Sequence, residues 1–246
     1  MMIHTLAYLL VALLSFPIMA ETLRALISET NTPPFIIDSE SSATTGLVID
    51  ISKEVANQLG WDLEYLTIPR ARTEQWLQSD QADLWCFTSP KWVNEPELML
   101  WSEPLYTTVD LLIRKTSTSP FRQLRDLYRK KVGTSRGFHY PELDALFSTG
   151  DASRDDALSL KENLQRLQLD RVDVVISDNF SYSYYINANK DSLETQALVA
   201  DQIGFEAQAS YCAISQSNPQ KAAAIHQALA TIHAHGYIDL WLRQYF

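Results

Sequence analysis

Residues 81–115 read QADLWCFTSPKWVNEPELMLWSEPLYTTVDLLIRK, and the order of residue types along this stretch decides the fold. Leu84–Phe87 is a short apolar run ended by Thr88, Ser89 and Pro90. A loop of mixed polar and aromatic residues follows. Then come Trp101-Ser102-Glu103-Pro104-Leu105-Tyr106 and a second apolar run, Val109–Ile113. Short apolar runs bounded by turn residues predict buried strands. The stretch is thus a strand that delivers a loop to a surface, followed by a strand that leaves it.

Towards the amino terminus the pattern alternates. Leu23–Ile27 predicts a strand, and a loop over Ser28–Ile37 carries Pro33-Pro34-Phe35. Thr44 or Thr45 is placed to cap a helix with Leu47, Val48, Ile51, Val55 and Leu59 on one face, stopped by Gly60. Leu63–Ile68 is the next strand and Arg72–Leu77 a short helix. Alternating strands and helices imply parallel pairing with right-handed crossovers. Ligands then bind beyond the carboxyl ends of the strands, here Ser28–Phe35, Pro69–Arg72 and Phe87–Lys91.

Towards the carboxyl terminus a second unit appears. Lys131–Thr134 predicts a strand, Pro141–Phe147 a helix, and Leu160, Leu164 and Leu167 the apolar face of another helix. Arg171–Asp178 is a strand ending in an aspartate, with an aromatic-rich helix over Phe180–Ile186. Tyr211–Ser215 is a further apolar run. Pro219 opens a helix with Ala222, Ile225, Leu229 and Ile232 on one face, Gly236 ends it, and Tyr237–Tyr245 closes the chain.

Residues 81–115 resemble the bacterial extracellular solute-binding proteins of family 3, the periplasmic receptors of polar amino-acid importers. There, the order aspartate, apolar strand, threonine, loop, aromatic-Ser-x-Pro-aromatic, apolar strand marks the ligand loop and first hinge crossing. Residues 124–134, LRDLYRKKVGT, resemble the start of that family's second lobe, and 171–178, RVDVVISD, its second-lobe strand ending in aspartate. Tyr211–Ser215 resembles its return crossing. The resemblance implies an α/β, two-lobed periplasmic-binding-protein fold of type II. Each lobe is a mostly parallel sheet flanked by helices, and two crossings form the hinge. The first lobe is expected over 21–110 and 206–246, the second over 111–205. Hinge closure around a ligand is the established motion of such receptors.

Residues 1–20 read as a signal peptide: Leu6–Phe16 is too short an apolar run to span a bilayer comfortably, Pro17 breaks it, and Ala20 precedes Glu21 at a cleavable position. This predicts a periplasmic protein. Apolar residues make up 46% of the 246, a globular composition. Lys and Arg number 20 against 30 Asp and Glu, a formal charge of −10, which argues against nucleic acid or an anionic membrane as partner. The two cysteines, Cys86 and Cys212, belong to an oxidising compartment. In the architecture the resemblance implies, the return crossing lies beside the third strand of the first lobe, which makes a disulfide between them possible, with two buried thiols as the alternative.

Neither a hydrolase elbow, a phosphate loop nor a zinc spacing is present, and His233-x-His235 at a helix end is the nearest approach to a metal pair. No cofactor is expected. The candidate ligand-binding residues are Phe35, Arg72, Phe87, Thr88, Arg136, Phe138 and Asp178. The aromatics stand at or beside strand ends, where a ring covers the apolar part of a small ligand; the resemblance places Phe35 in the cleft, and Thr88 falls at its ligand-loop threonine. It also gives Asp178 the ligand ammonium, although the residue equally reads as the cap of the helix at Phe180. The arginine that clamps the ligand carboxylate in the family would fall at Glu95, and Gly137-Phe138-His139 replaces its second-lobe threonine. The charged candidates are Arg70, Arg72, Lys91, Arg136 and Asp178, and a guanidinium from Arg72 or Arg136 is the expected substitute.

Three functions fit: a monomeric receptor that delivers a small polar solute to the permease of an ABC importer, a sensing module for a membrane receptor, and a dehydratase-like enzyme with His139 or Glu142 as acid or base. The first is the expectation, without enzymatic activity.

Overall fold

The computed structural model describes residues 21–37 and 45–246. The leader and Thr44 lie outside the described residues. In chain order the first lobe begins with β1 (Thr22–Ser28), α1 (Leu47–Leu59), β2 (Asp62–Ile68), α2 (Thr73–Gln78), β3 (Leu84–Thr88), β4 (Met99–Trp101) and β5 (Tyr106–Thr108). The second lobe follows with β6 (Asp110–Lys115), β7 (Lys131–Ser135), α3 (Asp144–Thr149), β8 (Ser153–Ala157), α4 (Leu160–Gln168), β9 (Val174–Asp178), α5 (Asn179–Ala188), α6 (Leu193–Gln196) and β10 (Leu198–Asp201). The chain then returns through β11 (Gln208–Ser215), α7 (Pro219–Ala234) and α8 (Tyr237–Tyr245).

The first sheet has the order β2-β1-β3-β11-β4, with β5 also paired to β11. The second has the order β10-β6-β9-β7-β8. In the first, β1 runs parallel to β2 and β3, while β11 enters antiparallel between β3 and β4. In the second, β7 is parallel to β8 and β9, and β6 is antiparallel to β9. Each sheet is therefore a parallel βαβ half completed by a strand that arrives from the other lobe. Such a strand enters from the cleft end, so it must run against its neighbours. The outward crossing, from β5 to β6, is Val109 alone, so Asp110 already belongs to the second sheet.

Central β3 is buried at all five positions and separates two apolar layers. On one side Leu23, Leu84 and Ile214 meet α1, α7 and α8. On the other, Leu26, Trp85 and Ala213 meet Leu77 of α2. Each leucine or isoleucine so removed from water contributes about 1.5–3 kcal/mol. The start of α1 is held by backbone: Leu47 N–H donates to the Pro34 carbonyl and Val48 N–H to that of Phe35. The N-cap is Gly46, at φ 122°, and not a threonine. A Cβ there would lie 2.5 Å from the Phe35 carbonyl oxygen, so the close approach of loop to helix requires glycine. Gly60 ends α1 in the left-handed conformation.

Cys86 and Cys212 are register partners on β3 and β11 and are joined as a disulfide. At the far end of the same sheet, Asp83 is buried and accepts from Arg24 and Lys221, binding β1 and α7 to the start of β3.

Candidate functional site

The carboxyl ends of β1, β2 and β3 face those of β7 and β9 across a cavity of about 520 Å³. Because β6 is antiparallel, its first residue, Asp110, arrives at the same mouth.

Arg70 forms the first-lobe wall. It opens the three-residue 3₁₀ turn after Pro69 and is only 6% exposed. Its guanidinium carbon lies 4.1 Å from the ring centre of Phe138, in the opposite lobe, and 5.1 Å from that of Trp85. Among the described residues it has neither an ion-pair partner nor a hydrogen-bond acceptor, and Nη1 is both buried and unpartnered. Burial lowers its pKa to about 10, so the cation persists at neutral pH. Arg72, expected in the cleft, is exposed on the surface instead. In a 3₁₀ turn successive side chains step by about 120°, so two residues on from Arg70 the side chain has swung away. Arg136 is also exposed and does not line the cavity.

Phe87 lines the cavity because β3 breaks its own alternation. Cys86 pairs with Cys212 and Thr88 with Tyr211, which leaves Phe87 as the extra residue of a bulge with φ 60°. Bulges re-aim side chains, and a bulky residue in the left-handed region is strained. The ring leaves the Trp85 face and joins the Leu84–Cys86 face. There it stacks on Phe35, ring centres 3.6 Å apart, and faces Phe138 at 6.1 Å. Phe35 is 0% exposed and sits behind Phe87, so it supports the cavity wall and does not form it. Thr88 is likewise fully buried and outside the lining. Phe138 and Asp178 do line the cavity.

Asp178 is both cap and cavity residue. Its Oδ1 accepts from Phe180 N–H at 3.0 Å and Ser181 N–H at 2.9 Å. Burial raises its pKa, against the pull of these bonds. Directly opposite it in the sheet stands Asp110, whose carboxyl is pushed up to about 7 by burial, by Asp178 and by Glu142. Residue-level reading missed Asp110 and passed over Arg70 in favour of Arg72. The signal for Asp110 was its place at the head of a strand whose partner ends in aspartate, legible once the register is known. Glu95, at the family's usual arginine position, lies away from the cavity and accepts from Gln78.

The lobes also touch. Thr32 and Ser181 share a hydroxyl hydrogen bond, and Phe180 packs against Tyr106 and Phe35. Among the described residues no group of His, Cys, Asp or Glu is arranged to hold a metal. No helix among them is long and apolar enough to cross a membrane.

Solved structures share this architecture. An ancestral arginine-binding protein bound to arginine superposes with a TM-score of 0.78 at 22% identity, covering 93% of this chain and 99% of that one. An amino-acid ABC transporter substrate-binding protein from Streptococcus pneumoniae, bound to L-arginine, gives 0.74 at 20% identity, covering 91% and 93%. An ancestral amino-acid-binding protein, a precursor of cyclohexadienyl dehydratase, gives 0.74 at 20% identity, covering 92% and 95%. These likenesses bear on the fold. No curated protein matches the sequence. The sequence model of the bacterial extracellular solute-binding proteins, family 3, matches residues 25–246. The chain belongs to that family.

Proposed function

We propose that the protein captures a small zwitterionic solute, an amino acid or a related compound, between its lobes and delivers it to an ABC importer. The observation that carries this reading is a bipolar cavity. Among the described residues, a guanidinium without an ion-pair partner, Arg70, stands on the first-lobe wall, and two carboxyl groups without one, Asp110 and Asp178, stand on the second. Buried charges require partners, and a solute with an anionic and a cationic end supplies both. Guanidinium binds carboxylate in a fork, so Arg70 takes over the role that Glu95 cannot fill. Arginine and amino-acid ligands in the similar structures support the same class.

In this reading the leader is cleaved after Ala20, the protein works as a periplasmic monomer, and the hinge runs through Val109 and the segment 202–207. A thermal-shift screen of amino acids, amines, organic acids and sugars tests it, because a ligand that binds only the native state raises the melting temperature. Zwitterions should raise it and sugars should not; a screen in which only sugars or uncharged solutes bind overturns the reading. Mass spectrometry of the exported protein should find Glu21 at the amino terminus.

One observation favours a second reading. A cleft carboxyl with pKa near 7, Asp110, suits general acid catalysis, and a dehydratase-like activity would use it. Product formation from the bound solute would establish that reading; stoichiometric, unchanged ligand would exclude it.

A further inference from the structure

The zwitterion reading calls for one carboxylate to meet a ligand ammonium, yet the site holds two side by side. Asp110 heads β6, Asp178 ends β9, and the antiparallel register sets them directly opposite. Such residues project to one face with Cβ atoms about 4.5–5.5 Å apart, and like charges so placed destabilise a sheet. Both line the cavity. Asp178 uses Oδ1 for the α5 cap, while Asp110 accepts no hydrogen bond among the described residues.

The neighbours do not relieve the pair. Glu142, in the segment before α3, adds to the negative potential at Asp110, and Glu206 of the return crossing lines the same cavity. Tyr140 keeps its proton, since burial and Asp110 both raise its pKa. The cations Arg70 and Lys91 come from the first-lobe side, with His139 beyond Phe138, and none forms an ion pair with either aspartate. Two carboxylates set opposite each other on one face of a sheet, desolvated and without an ion-paired cation, do not both ionise in the neutral range.

We propose that Asp110 and Asp178 form one cation-binding unit, which shares a single proton when empty and exchanges it for a protonated amine of the ligand. The carboxyl O–H bond breaks, its proton leaves to water, and N–H donors of the ammonium bond to the two carboxylates. This deepens the proposed function and rests on it for the identity of the ligand's cationic end. Asp178 alone would make capture indifferent to pH near neutrality. The pair makes affinity for an amine fall about tenfold per pH unit below the midpoint of the shared proton.

Carboxyl NMR of the protein labelled with 13C-aspartate tests this without any solute hit. The ligand-free protein should show an aspartate carboxyl titrating near pH 7. Asp110→Asn and Asp178→Asn, the second of which keeps an oxygen for the α5 cap, should each return the remaining carboxyl towards the acid range. Methylammonium chloride should lower the wild-type midpoint, by about one pH unit at ten times its dissociation constant, and sodium chloride at equal ionic strength should not. The absence of any aspartate titrating above about pH 6, a midpoint that survives both variants, or one that methylammonium leaves unmoved would each overturn the proposal. A screen without zwitterion hits would retire the proposed function alone, because methylammonium carries only the cationic end.

Discussion

Thr32 and Ser181 stand 149 residues apart and share a hydrogen bond of 3.0 Å between their hydroxyls. Thr32 lies in the loop after β1 and Ser181 in the first turn of α5, so this bond ties the first lobe to the second at the rim of the cavity. Ser181 N–H also donates to Asp178, which couples the tie to a carboxyl that lines the cavity. Thr32→Val keeps the contacts of Ser181, backbone and hydroxyl, with Asp178 and removes only the tie. Loss of one neutral hydrogen bond costs about 0.5–1.5 kcal/mol. Solute affinity by calorimetry should fall roughly two- to tenfold, with the unfolding midpoint of the empty protein nearly unchanged. Unaltered affinity would show that the hydroxyl pair does not contribute to closure.

Arg70 combines a cost with a proposed role. A buried guanidinium without an acceptor destabilises the fold, and Met at this position would fill similar space without charge. Arg70→Met should favour the closed lobes of the empty protein, seen as a smaller radius of gyration in small-angle X-ray scattering. It should also weaken binding of a carboxylate-bearing solute by roughly ten- to a hundredfold, the equivalent of a charged hydrogen bond worth about 1.5–3 kcal/mol. A variant that loses stability while keeping affinity would place Arg70 in the scaffold instead of the site.

Asp83 is the opposite kind of buried charge. Burial alone would raise its carboxyl, but hydrogen bonds from Arg24 and Lys221 outweigh that and hold it below the ordinary carboxylate value. Asp83→Ala leaves partly buried Lys221 with only the Thr22 carbonyl and Arg24 with only Asp80, and should cost about 3–5 kcal/mol in urea unfolding. A depressed folded-state pKa contributes stability above the ordinary carboxylate value, and that contribution disappears as pH falls through the depressed one. The difference between wild type and variant should therefore be full at neutral pH and shrink on acidification below about pH 4. A pH-independent difference would contradict the electrostatic account.

Cys86 and Cys212 close a loop with a sequence separation of 126 residues. A crosslink over so long a loop contributes roughly 4 kcal/mol through the unfolded chain. Denatured, unreduced protein should show no reactive thiols, and Cys86→Ser/Cys212→Ser should unfold at clearly lower urea. Two reactive thiols before reduction would refute the bond in the exported protein.

The sequence made the scaffold legible where burial is one-sided or complete. Central β3 and β9 are apolar runs, and the buried stripes of α1 and α7 keep helical spacing, so periodicity located all four. It failed at β8, Ser-Arg-Asp-Asp-Ala. As an edge strand with a single neighbour, β8 carries charges that pair sideways, Asp155 with Lys131 and Arg166 and Asp156 with Arg154. The site was less legible because three of its placements depend on geometry finer than pattern. Arg70, among the charged candidates, was set aside for Arg72 because the phase of one tight turn is not legible in sequence. Phe87 reached the cavity through a bulge, and Phe35 was displaced behind it. Asp110 acquired its meaning only when the β6–β9 register set it against Asp178.

The guanidinium of Arg70 belongs to one lobe, and the ring of Phe138 that covers it belongs to the other. Parting the lobes therefore returns a cation to water, and bringing them together strips it of water again. In a receptor of the proposed kind, this hydration would act, when the cleft is empty, as a spring that pushes the jaws apart, since a desolvated charge without a partner is costly. An anionic group in the cleft releases the spring by supplying that partner. Under the proposed function, shape would then report occupancy: the jaws would hold shut on a cargo that answers Arg70 and relax without it, so that a membrane partner could distinguish laden from empty receptor by outline alone.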